Sequence, residues 1–180
     1  MKDIITNSFI KLWEEKDYKD ITVTMICSSV PISRTAFYRY FKDKKSIVRY
    51  FVRRDYEANC FPVFRFHLKE RGTRYFFSHI SDQKKIYLKI YEIDDGMLLF
   101  QSLVAAYRVG FERRKEYSNP TNWVDRTFDP EIFFEYACTG IASVILYWIR
   151  NGMKPSEDRM AKNLYIMISE SLEKVRDHYT

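Results

Sequence analysis

The sequence predicts an all-α protein, a three-helix helix-turn-helix unit at the N-terminus followed by a helical bundle. Three observations lead there. Apolar residues recur at helical spacing, as with Ile5, Phe9, Leu12 and Trp13. Start and stop signals are well placed, with Thr22, Ser33, Asp43 and Asp129-Pro130 where helices should begin and Asn151-Gly152 where one should end. Only 5 Gly and 5 Pro occur in 180 residues of 46% hydrophobic content, so the chain is globular rather than disordered.

The elements follow in order. Residues 2–16 should form an amphipathic helix on the Ile5, Phe9, Leu12 and Trp13 stripe. The connector "DYKD" offers Tyr18 as an apolar plug. Thr22 is placed to cap a second helix of about two turns, with Val23, Ile26, Cys27 and Val30 able to face inward. Pro31 ends it, because proline has no N–H to donate and the residue before it avoids the helical region. Ser33 caps the third helix. In that helix Phe37 and Phe41 share one face, while Arg34, Thr35, Tyr38 and Arg39 occupy the other. Two short helices joined by a tight turn, behind a longer first one, make a helix-turn-helix, whose second helix enters the DNA major groove.

Asp43 should cap a fourth helix running to about Cys60, with Pro62 interrupting soon after. Residues 63–92 read as one or two helices, with Arg71-Gly72 and Ser81-Asp82 as weak breaks and Asp94-Asp95-Gly96 as the end. A helix over 97–117 leads to the "SNPTN" loop. Asp129-Pro130 opens the penultimate helix, with proline at its first position. Ser156 caps the last helix, where Glu157 and Asp158 complement the dipole. Ala137, Gly140 and Ser143 or Val144 form a small-residue stripe that would let another helix come close. Met160, Leu164, Met167, Ile168, Leu172 and Val175 make an apolar stripe wider than a lone surface helix needs.

Charge and chemistry narrow the function. The net charge is +6. Residues 1–54 hold 12 Lys or Arg against 6 Asp or Glu, and residues 55–180 hold 18 of each. The whole excess lies in the first third, the footprint of a nucleic-acid binder. Cys27, Cys60 and Cys138 are far apart, as are His67, His79 and His178, so neither a disulfide framework nor a metal cluster is legible. No zinc-protease, nucleophile-elbow or phosphate-loop motif occurs, so an enzyme is disfavoured and no cofactor is expected. Lys2, Asp3 and Lys11 break up the N-terminus, which excludes a secretory signal, and no apolar run approaches the ~18 residues of a membrane span. A cytoplasmic protein is expected.

The stretch "ITVTMICSSVPISRTAFYRYFKDKKSIV" resembles the DNA-binding domain of the TetR family of transcription regulators. The resemblance covers about residues 4–50 and is carried most specifically by Phe37-Tyr38-Arg39-Tyr40-Phe41 with Lys44. "YWIRNGMKPSEDRMA" also resembles the last two helices of some members. The family's turn glycine is Pro31 here, the small residue before it is Val30, and the Thr before the aromatic pair is Ala36. Proline cannot take the positive φ that glycine supplies, so the turn must be built differently.

The resemblance implies a DNA-binding domain over 1–46 and a ligand-binding and dimerisation domain over 47–180. Phe37 and Phe41 should pack against Ile26 and Ile47. The expected DNA-binding residues are Thr22, Thr24, Ser33, Arg34, Thr35, Tyr38, Tyr40 and Lys44. Arg34 can donate two hydrogen bonds to guanine O6 and N7, and the Thr35 methyl can meet a thymine methyl. Tyr38 and Tyr40 resemble the family's phosphate-contacting positions. Lys44 should open the fourth helix and neutralise a phosphate, Thr22 should offer its hydroxyl to another, and Thr24 could reach the groove edge. The family's last two helices form a four-helix dimer interface, and the alternative here is that they cover their own core. The aromatics Phe61, Phe64, Phe66, Tyr75, Phe76, Phe77, Tyr87, Tyr91, Phe100, Tyr107 and Phe111 read either as core or as a pocket for a small apolar or aromatic ligand.

The leading expectation is therefore a homodimeric regulator, a repressor, on a palindromic DNA operator. The alternative is a TetR-like adaptor or coactivator acting through a protein partner, with Pro31 as its only sequence hint.

Overall fold

A computed structural model describes residues 1–60, 70–117 and 129–167. Pro62, the aromatics Phe61, Phe64 and Phe66, the "SNPTN" loop, and Ile168, Leu172 and Val175 lie outside the described residues, as does the Phe111 side chain. Among the described residues the fold is all helix, without a strand. The chain divides into two compact units, Met1–Arg54 and Asp55–Thr180. No helix among the described residues is long and apolar enough to cross a membrane.

The first unit contains α1 (Lys2–Glu15), a 3₁₀ turn (Tyr18–Asp20), α2 (Val23–Ser29), α3 (Arg34–Tyr40) and α4 (Lys44–Asp55) up to Arg54. Its core is assembled from every helix. Ile5, Phe9 and Trp13 come from α1, Ile26 from α2, Phe37 from α3, and Ile47 and Val48 from α4, all buried. Ile21, Val30 and Phe41, at helix ends, complete it. Tyr18 fills the expected gap, its ring 5.4 Å from Trp13 and edge-on to Phe9 at 6.2 Å. Burying a large apolar side chain is worth roughly 1.5–3 kcal/mol, so short helices such as α2 and α3 are held by their inward faces rather than by propensity.

The second unit begins where α4 stops being α-helical. The fourth helix was expected to run to about Cys60; instead it ends at Asp55 and continues as a π-helical turn, Tyr56–Cys60. Polar side chains from elsewhere in the unit meet at that point. The buried Asp55 carboxylate accepts from Asn59 Nδ2 at 3.0 Å, from Tyr87 Oη at 2.6 Å and from His79 Nε2 at 2.9 Å. Tyr56 packs edge-on to Tyr107 at 4.8 Å.

Three helices follow, α5 (Glu70–Asp82), α6 (Lys84–Tyr91) and α7 (Met97–Tyr117). Arg71-Gly72 is not a break: both residues lie within α5, with Gly72 buried. Ser81-Asp82 does end that helix. Between α6 and α7 the chain turns through Asp95 (φ 52°) and Gly96 (φ 87°), and Asp94 Oδ1 caps α7 by accepting from Leu98 N. A Cβ on Gly96 would stand 2.7 Å from the Tyr91 ring, so both space and backbone require glycine there.

α8 (Pro130–Arg150) is capped by Asp129 and stopped at Asn151-Gly152, as expected. A final helix, α9, occupies residues 157–167 of the described chain. Cys138, Ala142, Ile145, Trp148 and Ile149 face inward from α8, with Trp148 edge-on to Phe77 at 5.1 Å. Phe76, Phe77, Tyr87 and Tyr107 are buried, so these four aromatics are core.

Candidate nucleic-acid interface

Two capped helices and an unusual turn shape the exposed side of the first unit. Thr22 has an extended backbone (φ −103°, ψ 156°), and its hydroxyl accepts from Met25 N at 3.2 Å. Ser33 does the same for α3, accepting from Ala36 N at 3.1 Å. Each side chain satisfies one of the amides that a helix start leaves without a partner.

The turn between them answers the question that Pro31 raised. Val30 is extended (φ −131°, ψ 136°), and Ile32 N donates to Val30 O at 2.6 Å. That i to i+2 bond is a γ-turn centred on Pro31. The inverse γ-turn needs a central φ near −75°, close to the value the proline ring imposes. No residue of the turn takes a positive φ; among the described residues only Asp95, Gly96, Gly152 and Met153 do. Proline thus supplies a tight turn by a different bond from the one glycine would use.

α3 is anchored by Phe37, fully buried, and by Phe41, 3% exposed. Their rings lie 6.2 Å apart. The face turned away from them is open. Arg34, Thr35 and Arg39 are exposed, Tyr38 is 51% exposed and Tyr40 38%. The Tyr38 ring meets Phe37 edge-on at 5.4 Å, which steadies it while it points outward. Thr22, Thr24 and Ser33 are also exposed. From Ile21 to Lys42 the chain carries no carboxylate, and Arg34, Arg39 and Lys42 are its three cations. That acid-free stretch was readable in the sequence and points to two exposed cations outside the expected set, Arg39 and Lys42.

Lys44 is placed differently from the rest. It opens α4, behind an Asp43 cap in which Oδ1 accepts from Ser46 N at 2.7 Å. Its ammonium turns inward. Nζ donates to Tyr18 O at 2.6 Å, reaches Lys19 O at 3.5 Å and lies 4.5 Å from the centre of the Tyr18 ring. Burial lowers its pKa from the ordinary lysine value, while the nearby Asp20 acts the other way. Lys44 therefore ties the connector between α1 and α2 to the start of α4.

A second polar group braces α1 against α4. Arg54 Nη1 donates to Asp3 Oδ1 at 2.9 Å, Nη2 to Asn7 Oδ1 at 3.0 Å, and Tyr50 Oη to Asp3 Oδ1 at 3.1 Å. These bonds, Arg54 first, hold the Asp3 carboxyl below its ordinary range.

Residues 5–51, which contain this helix-turn-helix, match the family described as bacterial regulatory proteins, tetR family. Residues 70–170 match a family described as transcriptional regulator C-terminal region. The chain belongs to the TetR family of transcription regulators. No curated protein matches it by sequence. Among solved structures, this TetR-family chain is similar to the dihydroxyacetone kinase operon activator DhaS, with a TM-score of 0.54 at 15% identity over 97% of this chain and 96% of that one. At that identity the likeness concerns the fold.

Proposed function

We propose that this TetR-family protein binds a palindromic DNA operator as a homodimer and represses transcription by occupying it. The observation that carries the reading is the open, acid-free face of α3, with Arg34, Thr35 and Tyr38 exposed over a buried Phe37. Arg34 and Thr35 stand at the start of α3, where base edges are reached. Tyr38 and Tyr40 supply hydroxyls for phosphates, and Thr22, Thr24 and Ser33 border the same face. Lys44 stays in the proposal with a changed role: it holds the connector ahead of Thr22 and so positions the amino end of α2. The protein would work in the cytoplasm, where the operator is.

The dimer surface is proposed on α8 and α9. Ile132 (71% exposed), Tyr136 (74%), Gly140, Ser143 and Tyr147 form one outward stripe on α8, and Met167 is exposed on α9. Release by a small apolar or aromatic ligand belongs to the same proposal on the strength of the resemblance.

A gel shift against DNA flanking the protein's own gene tests the reading. The expected result is a shift at nanomolar protein concentration, weakening steeply with salt, on a sequence containing an inverted repeat. Binding no tighter than to random DNA overturns it and favours an adaptor working through a protein partner. A second reading concerns only the sign of regulation, since the fold neighbour is named as an operon activator. A reporter under the bound promoter separates the two: expression rises on deleting a repressor and falls on deleting an activator.

A further inference from the structure

The outermost crest of α3 is not where Arg34 stands. Phe37 marks the inward direction, being fully buried. At about 100° per residue, Thr35 lies about 160° and Arg39 about 200° around the helix from Phe37. These two point directly away from the core. Arg34 lies only about 60° from Phe37 by the same measure and reaches solvent as the first residue of the helix.

Arg39 is exposed and, among the described residues, has no carboxylate against it. Arg54 shows the contrast, with its guanidinium already committed to Asp3 and Asn7. Arg39 keeps its planar fork of donors available, and that fork matches guanine O6 and N7 in the major groove. Thr35 and Arg39 stand about 6 Å apart along the axis, at about 1.5 Å per residue. That is close to two base-pair steps of about 3.4 Å.

We infer that Arg39 is a specificity-determining residue that reads a guanine about two base pairs from the one Thr35 meets. The inference rests on the operator-binding reading above and adds a base to it.

The test is selection from randomised duplex DNA with the full chain as wild type, Arg39→Ala and Arg39→Lys, with circular dichroism to confirm that all three are folded. Wild type should enrich a guanine at one position per half-site. Both variants should lose that preference by about 5- to 150-fold, the range of a bidentate base contact, while the other selected positions persist. Lysine keeps the charge but lacks the fork, so Arg39→Lys should retain the wild-type salt dependence without restoring the guanine. Unchanged base preferences in Arg39→Ala overturn the inference. So does equal weakening on every sequence, rescued by lysine, because that describes a phosphate clamp. A wild type that enriches no sequence fails at the operator-binding reading itself and takes this inference with it. A wild type with a clear consensus that Arg39→Ala leaves intact fails only here.

Discussion

Lys44 is expected from the sequence to meet a phosphate, and in the proposal above it braces the connector between α1 and α2. Its ammonium meets the carbonyls of Tyr18 and Lys19 in the turn between α1 and α2. Lys44→Met should therefore cost about 1.5–3 kcal/mol of stability, the range for a hydrogen bond involving a charged group, seen in urea unfolding. Operator affinity should fall with it, while the slope of log affinity against log salt stays near the wild-type value. A slope flatter by about one would instead return Lys44 to the phosphate contacts.

The Asp3–Arg54 pair gives a second test at the residue scale, in pH. The Asp3 pKa is lower in the folded state than in the unfolded chain, with Arg54 the main cause and Tyr50 the next. A depressed carboxylate contributes stability that is complete above its unfolded pKa, near 4, and lost as pH falls through the folded value. Arg54→Ala should move the Asp3 titration upward in NMR and flatten the acid limb of the stability profile. An Asp3 titration unchanged in the variant would remove Arg54 as the cause.

At the scale of elements, Asp55 at the joint between α4 and the π-helical turn is tied to α5 and α6. Asp55 is 7% exposed and takes hydrogen bonds from Asn59, Tyr87 and His79. Removing the Asp55 side chain leaves three donors without their acceptor, and at about 1–3 kcal/mol for each buried one the loss reaches about 3–5 kcal/mol. Asp55→Ala should lie in that range and Tyr87→Phe near 1.5–3 kcal/mol, both measured by denaturant unfolding. Equal and small effects would mean that the packing of Tyr56 on Tyr107 holds the joint by itself. The two short helices of the helix-turn-helix are held differently. α2 and α3 have seven residues each, too short to be stable alone. A capping hydroxyl at each start and a buried ring or Ile26 beneath are what keep them helical.

At the scale of the molecule, Gly140 offers a clean probe of the proposed dimer. A Cβ built there meets nothing within 4 Å among the described residues. Gly140→Trp should thus leave the monomer's circular dichroism and melting intact. Across an isologous interface the added bulk occurs twice, and overpacking costs roughly 1–3 kcal/mol at each site. The variant should sediment as a smaller species than wild type and bind operator weakly, since one recognition helix without its partner about 34 Å away reads too little DNA. A Gly140→Trp protein that stays dimeric with full operator affinity places the interface elsewhere.

Local chemistry was enough to place most helices. Thr22, Ser33 and Asp129 begin helices because each can accept from an amide two or three residues on, a preference that needs no tertiary partner. Phe37 and Phe41 face the core because their spacing leaves them no other way to share a helix side. The family, too, was readable in the run from Phe37 to Lys44. Gly72 signals a break by residue type, yet it is helical and buried, a setting that only the fold supplies. Other features depend on residues brought together from afar. At the end of α4, Asp55 meets His79 and Tyr87, 24 and 32 residues away. The Lys44 ammonium lies on a carbonyl 26 residues earlier in the chain. Patterning determines which faces must be buried, since that follows from spacing alone. Only the folded chain decides which polar group meets which, because such pairs form across distances that no local period records.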